Sequence, residues 1–223
     1  MQNLQTSPKT GTKTGHDIRT RGDRDNRREA ILDVASEVFL SEGYASTSMS
    51  TIAARLGGSK GTLYNYFKSK EELFEAYVRR HCALQKTEIM SILTEGGEPR
   101  GVITLWARKY LSVVTSDHNL NNWRVISAES QKSPEFGRVF YESGPRLGVQ
   151  ILADALQTWT EQGFFRIKDT VVAAHQFMSL ISGRLIKARL LNYLPSPTPA
   201  EIETEVNNAV STFFAAFGTE KLA

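Results

Sequence analysis

The sequence has a single cysteine, Cys82, among its 223 residues. One cysteine excludes an intramolecular disulfide framework and agrees with a reducing compartment, although a disulfide between two chains stays open. We interpret Cys82 as a small packed residue, with a redox sensor as the alternative. No run of about 18 apolar residues is present, and the first residues lack the apolar segment of a secretory signal. These absences predict a chain without a membrane span, and we expect it in the cytoplasm.

Sequence motifs of common catalytic and metal sites are absent as well. The four histidines, His16, His81, His118 and His175, have neither the HExxH spacing nor another paired metal-ligand spacing, and no GxSxG motif occurs. The run Gly57-Gly58-Ser59-Lys60-Gly61 has the composition of a phosphate loop, but it lacks the GxxxxGK[ST] spacing and a preceding strand. We therefore predict a protein that is not an enzyme and uses no metal or cofactor, with a phosphate-binding enzyme as an alternative.

What the sequence does have is helical periodicity. Apolar residues recur at three- and four-residue spacings from Asn26 to Phe217, and no strand-like alternation of any length is present. The pattern predicts an all-α fold with helices at residues 26–42, 49–56, 60–67, 69–93, 99–116, 120–131, 134–162, 170–192 and 199–217. Gly144-Pro145 is expected to break or kink the helix at 134–162. Two helices are expected to start with capping boxes, at Ser69 and at Thr198.

The stretch from Ser48 to Phe67 predicts two short helices joined by a tight turn. Ser48 and Ser59 are suited to cap the two helix N-termini, and Gly57-Gly58 is suited to end the first helix. The two helices and the one before them form a small core, for which we expect Ile31, Val38, Phe39, Ile52, Leu56, Leu63 and Phe67. Because this core is modest, we expect it to lean on the helix that follows.

The outward side chains of the second short helix are suited to DNA. They offer a cation, a bare backbone, a methyl with a hydroxyl, a phenol and an amide, which match base edges and phosphates. These residues are Lys60, Gly61, Thr62, Tyr64 and Asn65. Lys68 and Lys70 follow at the start of the next helix and are expected close to the DNA backbone. In the alternative interpretation, the same side chains form an idle surface of a helical protein-interaction module.

Charge is uneven along the chain. Residues 1–70 hold 11 Lys and Arg against 7 Asp and Glu, a net charge of +4, whereas residues 71–223 hold 16 against 17, a net charge of −1. A basic end attracts polyanions, although it also serves solubility. Residues 1–24 are almost free of apolar side chains and predict a flexible basic tail. Its Arg19, Arg21 and Arg24 either follow the DNA backbone as an arm or remain solvated.

The last two predicted helices are apolar over more than one face. A helix of this kind needs more than one packing partner. We interpret the second partner as another copy of the chain, so that two helices from each subunit form a four-helix bundle. A deep monomeric core is the alternative. The residues expected in the dimer interface are Ile181, Leu185, Val206, Val210, Phe213 and Phe214.

Further motifs run without a break through residues 25–85. They include Arg28-Glu29-Ala30-Ile31-Leu32, Gly43-Tyr44, Thr47-Ser48, Ile52-Ala53, SKGTLYNYF at 59–67 and KSKEELF at 68–74. With this spacing, residues 25–85 resemble the helix-turn-helix domain of TetR/AcrR-type transcriptional regulators. One departure is Gly58, where the family usually has an apolar residue, often Val. A glycine there is expected to loosen the turn, at about 1 kcal/mol of backbone entropy.

Residues 86–223 carry a second resemblance. WRVISAE at 123–129, SPEF at 133–136 and FYESGP at 140–145 are similar to the C-terminal domain of the AefR-like subset of this family. The two resemblances imply an all-helical homodimer that binds a near-palindromic operator and represses transcription. They also imply that a small-molecule effector enters the domain at 86–223, tilts the helix at 69–93 and releases the DNA.

The resemblance also implies roles for individual residues. Base contacts are expected from Lys60, Thr62 and Tyr66, with a core role as the alternative for Tyr66. Phosphate contacts are expected from Thr47, Ser48, Tyr64 and Lys70, with Ser59 and Gly61 beside them. An effector cavity is expected to be lined by Trp106, Tyr110, Trp123, Phe140, Tyr141, Phe177 and Met178, with Arg124, Glu129, His175 or Gln176 as its polar groups. Plain core packing is the alternative for each of these cavity residues.

Overall fold

Eleven α-helices and a short 3-10 helix form the secondary structure that the computed structural model describes, over residues 16–94 and 96–222, without the side chains of 16–21 and 85–88. The helices are α1 His16–Glu42, α2 Met49–Arg55, α3 Lys60–Tyr64, α4 Lys70–Thr94, α5 Pro99–Val114, α6 Asp117–Ser130, α7 Pro134–Ser143, α8 Pro145–Glu161, α9 Thr170–Ser182, α10 Leu185–Leu190 and α11 Pro199–Phe217, with the 3-10 helix at Glu220–Leu222. In these residues, β-type pairing is limited to an isolated antiparallel bridge between Phe165 and Gly218. The predicted all-α fold is confirmed.

Helix α1 begins at His16, ten residues before the predicted start at Asn26. The predicted tail is therefore helical over residues 16–24, and residues 1–15 lie outside the described part of the chain. Charged residues of opposite sign recur four positions apart in this stretch, which favours a helix. Apolar periodicity does not detect a helix that buries no apolar face.

Two predicted long helices are each divided in the structure. Gly144-Pro145 separates α7 from α8, because proline has no N–H to continue the hydrogen-bonding pattern, so the predicted break is confirmed. The helix predicted at 170–192 ends at Ser182 instead, and α10 begins at Leu185. The sequence pattern does not predict this second break, because one residue such as Gly183 is only a weak helix breaker.

Both predicted capping boxes supply hydrogen bonds at helix starts. At α4, Ser69 Oγ accepts from Glu72 N at 3.1 Å, and the Glu72 carboxylate accepts from Lys68 N at 2.7 Å, one residue before the expected donor. At α11, Thr198 N donates to the Glu201 carboxylate at 2.8 Å, and Glu201 N donates to Thr198 Oγ1 at 3.3 Å. These bonds satisfy N–H groups that a helix start leaves without intrahelical partners. Helix α4 therefore starts at a fixed point, close after α3.

The N-terminal core extends beyond the three helices that the sequence predicts. A group of buried aromatic rings joins α1 and α4 to α7. The ring centroid of Phe74 lies 5.0 Å from Phe39, 4.7 Å from Tyr44 and 4.6 Å from Phe136 of α7. From the later helices, the residues of this core are Leu73, Phe74, Tyr77, Val78, Ile126, Phe136 and Val139. The expectation that the small core leans on the following helix is confirmed, and α6 and α7 support it as well.

The C-terminal core contains the six residues that were expected between two chains. Their exposed fractions are at most 5% in a single chain, for Ile181, Leu185, Val206, Val210, Phe213 and Phe214. Helices α9 and α11 pack on each other, and also on α8 and α5 respectively, so their most apolar faces point into one subunit. The prediction is therefore corrected: these six side chains belong to the core of one chain, and a dimer interface requires the outer faces of the same helices.

Helix α4 belongs to both halves of the molecule. Its first half packs in the N-terminal core through Phe74 and Val78, and its second half packs in the C-terminal core through Ile89 and Leu93. The predicted domain boundary at residues 85 and 86 lies inside this helix. The two cores therefore share this helix.

Candidate functional site

The turn between α2 and α3 is a Schellman motif. Gly58 N donates to Ala53 O at 3.1 Å, and Gly57 has a φ of +69°, the left-handed conformation that this motif requires. Ser48 and Ser59 cap α2 and α3, and each hydroxyl accepts from the backbone N–H three residues later at 3.1 Å. The predicted caps and the predicted turn are confirmed. Gly57 needs to be glycine, whereas Gly58 has an ordinary φ.

Seven of the eleven predicted DNA contacts are exposed to solvent: Ser48, Ser59, Lys60, Gly61, Tyr64, Asn65 and Lys68. Thr62, Tyr66 and Lys70 are partly buried, and Tyr66 packs against the N-terminal core. On α3, Lys60 Nζ lies 5.8 Å from the centroid of the Tyr64 ring, so a cation and a phenol lie side by side. The Thr62 hydroxyl shares a hydrogen bond of 2.9 Å with Ser59 Oγ, which leaves the Thr62 methyl group for apolar contacts.

Thr47 and Lys70 are engaged within the chain. Thr47 is 3% exposed, and its hydroxyl donates to Gly43 O at 2.7 Å. Lys70 Nζ donates to Tyr44 O and Thr47 O, both at 2.9 Å, and lies 4.1 Å from the centroid of the Tyr44 ring. Both side chains therefore hold the loop before α2. The ammonium group of Lys70 has three protons, so one remains for another acceptor.

Arg24, Arg28 and Lys68, close to α3, form no ion pair with any described residue. Arg28 lies over the Phe67 ring, 5.0 Å from its centroid. Lys68 and Arg24 are exposed. The side chains of Arg19 and Arg21, predicted together with Arg24 as a possible arm, lie outside the described part of the structure. This surface combines positive charge with hydrogen-bonding side chains, which suits a polyanion with readable base edges.

A cavity of about 80 Å³ lies between α4, α5, α6, α7, α8 and α9. Its wall is mostly apolar, and its polar groups come chiefly from Tyr110, Asn119 and Ser143. The residues that line it are Cys82, Ile89, Met90, Tyr110, Val114, Asn119, Trp123, Phe140, Ser143, Gly144, Pro145, Leu147, Gly148 and Met178. The predicted break at Gly144-Pro145 therefore lies in the cavity wall.

Four of the nine predicted cavity residues line this space: Tyr110, Trp123, Phe140 and Met178. The five others do not: Trp106, Arg124, Glu129, Tyr141 and Phe177. Trp106 and Phe177 are fully buried core residues, Glu129 is buried, and Tyr141 is 52% exposed on the outer side of α7. The two further polar candidates, His175 and Gln176, are exposed on α9.

Arg124 does not face the cavity and instead forms hydrogen bonds to the end of α10. Its guanidinium donates to Arg189 O at 2.8 Å, to Leu190 O at 3.2 Å and to Asn192 Oδ1 at 2.7 Å. These acceptors lie at the end of α10, where helix carbonyls lack intrahelical partners. Arg124 therefore ties α6 to the end of α10.

The contributions of α4 and of Asn119 on α6 to the cavity are not predicted from the sequence. Cys82 and Ile89 border it from α4, and Asn119 borders it from α6. Burial raises the pKa of the Cys82 thiol to about 11, which agrees with a packed, unreactive residue. Asn119 Oδ1 lies 3.0 Å from His81 Nε2, so a polar contact links α6 to α4 at the cavity. In the sequence, the only sign that Cys82 faces the interior is its position on the apolar face of α4.

The outer faces of α9 and α11 form an apolar groove. Val172 is 50% exposed and Leu180 is 40% exposed on α9. Thr212 and Ala216 face the same groove from α11. Small and apolar side chains in this arrangement suit a partner helix.

Other kinds of site are not found in the described residues. Within them, no group of three His, Cys, Asp or Glu side chains is placed to hold a metal ion. No helix in the same residues combines the length and hydropathy of a membrane span.

Two family profiles match the chain. A profile described as "Bacterial regulatory proteins, tetR family" matches residues 31–77, and one described as "AefR-like transcriptional repressor, C-terminal domain" matches residues 102–219. The first match contains α2, the turn and α3, and the second contains most of the cavity wall. Both resemblances of the sequence analysis are confirmed.

Individual proteins agree with these profiles. The HTH-type transcriptional activator FasR of Mycolicibacterium smegmatis is 43% identical over 161 residues, which are 72% of this chain and 68% of FasR. A TetR-family regulator from Mesorhizobium loti MAFF303099 has a TM-score of 0.82 at 27% identity, covering 88% of this chain and 98% of its own. The flavonoid-responsive regulator FrrA has a TM-score of 0.76 at 30% identity, covering 89% and 99%.

These matches decide between the alternatives that the sequence leaves open. The relatives and structural neighbours are named as transcriptional regulators, and the profile at residues 31–77 belongs to the DNA-binding domain. A phosphate-binding enzyme and an interaction module without DNA binding are both set aside. The chain belongs to the TetR family of transcriptional regulators, with an AefR-like C-terminal domain, and it is a DNA-binding regulator.

Proposed function

We propose that the chain is a homodimeric repressor that reads a near-palindromic operator with α3 and releases it when an apolar small molecule enters the cavity. The observation that carries this proposal is the double position of α4. Phe74 and Val78 pack in the N-terminal core, whereas Cys82 and Ile89 border the cavity. An effector that displaces α4 at the cavity therefore moves the DNA-binding domain, which makes the two sites energetically coupled.

In this proposal α3 lies in the major groove. Lys60 donates to guanine O6 or N7, and the Thr62 methyl meets a thymine methyl, while Tyr66 contacts a base edge from its half-buried position. Ser48, Tyr64 and Lys68 contact phosphates, which fix the register of the protein on the duplex. Ser59, Gly61 and Asn65 line the same surface. Thr47 and Lys70 act chiefly on the loop before α2, and Lys70 offers its remaining proton to a phosphate.

The two subunits are proposed to meet through the outer faces of α9 and α11. Exposed Val172 and Leu180 support this assignment, because they lie on a groove that the subunit's own helices leave uncovered. A two-fold dimer presents the two α3 helices about 34 to 36 Å apart, one turn of DNA. The proposed operator is for this reason a near-palindrome.

The effector is proposed to be an apolar or aromatic molecule with one polar group. Tyr110, Asn119 and Ser143 supply polar groups of the cavity wall. At about 80 Å³ the cavity is smaller than the roughly 300 to 1000 Å³ of typical ligand pockets, so the effector must widen it. Widening separates α4 from α7 and α8. The name of FrrA, a flavonoid-responsive regulator, supports an aromatic effector.

Repression is the proposed outcome of operator occupancy. The description of the matching C-terminal profile names repressors, whereas the relative FasR is named an activator. Transcription from the bound promoter, measured in a reporter strain with and without this chain, distinguishes the two. We expect higher transcription without the chain; lower transcription would assign it as an activator.

DNA binding by α3 is tested with the region upstream of the chain's own gene. Fluorescence anisotropy across a salt series is expected to give specific binding for wild type and at least tenfold weaker binding for the Lys60→Ala, Tyr64→Ala double variant. Arg146→Ala on α8 removes an exposed charge far from α3 and serves as the control. Equal binding by the double variant and wild type would reject this surface.

The effector site is tested by filling the cavity. A Cβ on Gly148 would lie 3.4 Å from Met90 Cε, in ordinary contact, so Gly148→Val occupies space without a clash at the backbone. Flavone is the probe. We expect flavone to weaken operator binding by wild type and to leave Gly148→Val unaffected. If flavone releases both proteins equally, its site lies outside this cavity.

A further inference from the structure

Arg27 of α1 lies against the turn between α2 and α3. Its side chain is partly buried, whereas residues 22–26 and 28–29 on the same helix are exposed. A Cβ built on Gly58 would lie 3.4 Å from Arg27 Nη2. The guanidinium therefore packs against the backbone of Gly58, one residue before the cap of α3. We call Gly58 the seat of Arg27.

The Arg27 guanidinium has no hydrogen bond or ion pair with any described residue. Asp23, one helical turn earlier, does not pair with it. By contrast, Arg55 on α2 pairs with Glu42 at 2.8 Å. A guanidinium offers five N–H donors, so one that lies against the turn without an acceptor can donate to an external anion.

We propose that Arg27 contacts a phosphate of the DNA backbone and that Gly58 is the seat that makes this contact possible. Gly58 has an ordinary φ, so the turn itself does not require glycine at this position. A valine there, which the resemblance leads us to expect, would place its methyl groups where the guanidinium lies. Compared with the valine that the family usually has, Gly58 therefore gives up an apolar contact in the turn and makes room for a cation beside α3. The inference rests on the proposed position of α3 in the major groove.

The salt dependence of binding tests the phosphate contact. Anisotropy is measured with a random-sequence duplex of about 30 bp and with the upstream region, from roughly 50 to 200 mM salt. Arg27→Ala is expected to weaken binding to both duplexes on the order of fivefold to tenfold and to reduce the salt slope by about one per bound subunit. Arg27→Lys keeps the charge and is expected to restore the slope. A merely structural role for Arg27 would leave the slope unchanged.

Substitutions of Gly58 test the seat. Gly58→Ala adds one carbon at van der Waals contact and is expected to keep wild-type affinity, whereas Gly58→Val displaces the guanidinium and weakens binding as Arg27→Ala does. In the Arg27→Ala background, Gly58→Val is expected to add no further loss, because the contact is already gone. Thermal unfolding of each variant confirms that the protein is folded at the temperature of measurement.

The outcomes separate this inference from the proposed function. Wild-type affinity and slope for Arg27→Ala would overturn the phosphate contact, and additive losses in the double variant would overturn the role of Gly58. Either result leaves α3 intact as long as Lys60→Ala still weakens binding. If Lys60→Ala and Arg27→Ala both bind as wild type, the proposed surface itself fails.

Discussion

Cations in two regions of the molecule differ in their pairing. Three guanidinium groups of the C-terminal half are bound within the chain: Arg108 pairs with Glu203 at 2.7 Å, and Arg184 and Arg189 pair with Glu205 and Asp117. Around α3, the cationic groups of Lys60, Lys68, Arg27 and Arg28 make no ion pair with described residues. Paired cations hold helices together, whereas unpaired ones are available to an external anion. The pairing of a charge therefore indicates its function better than the charge itself.

The two halves also differ in the solvent exposure of their proposed sites. The proposed DNA-binding surface is exposed, whereas the proposed effector cavity lies between helices, and the Phe74 and Phe136 rings connect the two regions. This contact links α7, which borders the cavity through Phe140, to α4, which starts beside α3. We therefore expect the two halves to unfold together.

The largest expected effect comes from the ring that joins the halves. Phe74→Ala removes contacts with Phe39, Tyr44 and Phe136 and leaves a cavity, so we expect a loss of about 3 to 5 kcal/mol of unfolding free energy. Urea unfolding followed by circular dichroism measures it, and we expect a single transition. Tyr141→Ala, at an aromatic residue 52% exposed, is the control, with a change within about 0.5 kcal/mol. Two separate transitions in wild type would break the idea of a shared core.

The second effect is a pH dependence at the contact between α4 and α6. Burial lowers the pKa of His81 to about 4, from 6.5 in the unfolded chain, against the opposing effect of its hydrogen bond to Asn119 Oδ1. The neutral imidazole contributes its full stability above pH 6.5, and this contribution is lost as the pH falls toward 4, because the unfolded chain binds the proton first. We expect up to about 3 kcal/mol over this window.

Unfolding free energies from pH 7.5 to 4.5 measure this dependence. His81→Leu is expected to flatten the curve, and the exposed His175→Gln is the matched control that keeps it. An unchanged slope in His81→Leu would assign the pH dependence to another group.

The third prediction compares a paired cation, Arg189, with an unpaired one, Lys60. Arg189→Ala leaves the carbonyl groups of Thr115 and Leu194 without their donor, so we expect a loss of about 1 to 3 kcal/mol of stability and unchanged DNA affinity. Lys60→Ala is expected to weaken DNA binding by about tenfold and to leave stability unchanged. Urea unfolding and anisotropy on both variants check it. If each variant changed both quantities, the distinction between paired and unpaired cations would not hold.

The smallest effect concerns the two glycines of the turn. Gly57→Ala forces a side chain into φ of +69° and is expected to cost about 1 kcal/mol. Gly58→Ala, at an ordinary φ, is expected to stabilise by about 0.4 to 1 kcal/mol through the unfolded chain. Thermal unfolding compares the two directly, and each serves as the control of the other. Equal losses would contradict the assigned turn geometry.

Much of the local structure follows from the sequence. The caps at Ser48, Ser59 and Thr198, the turn at Gly57 and the break at Gly144-Pro145 all agree with the structure. Seven of the eleven residues predicted to contact DNA are exposed on or beside α3, and their contact with DNA stays a prediction. The cavity is a different case, since four of nine expected lining residues border it.

What the sequence by itself determined is local: hydrogen bonds and steric limits between residues a few positions apart fix where helices start, turn and end. Only the tertiary structure decided which apolar face is core and which charge is paired. Phe213 is buried in its own subunit, and Arg124 binds carbonyls 65 and 66 positions later instead of the cavity. Such contacts depend on how the helices pack in space, which periodicity does not encode. The seat of Arg27 on Gly58 is of the same kind, because it joins two helices through the absence of a side chain.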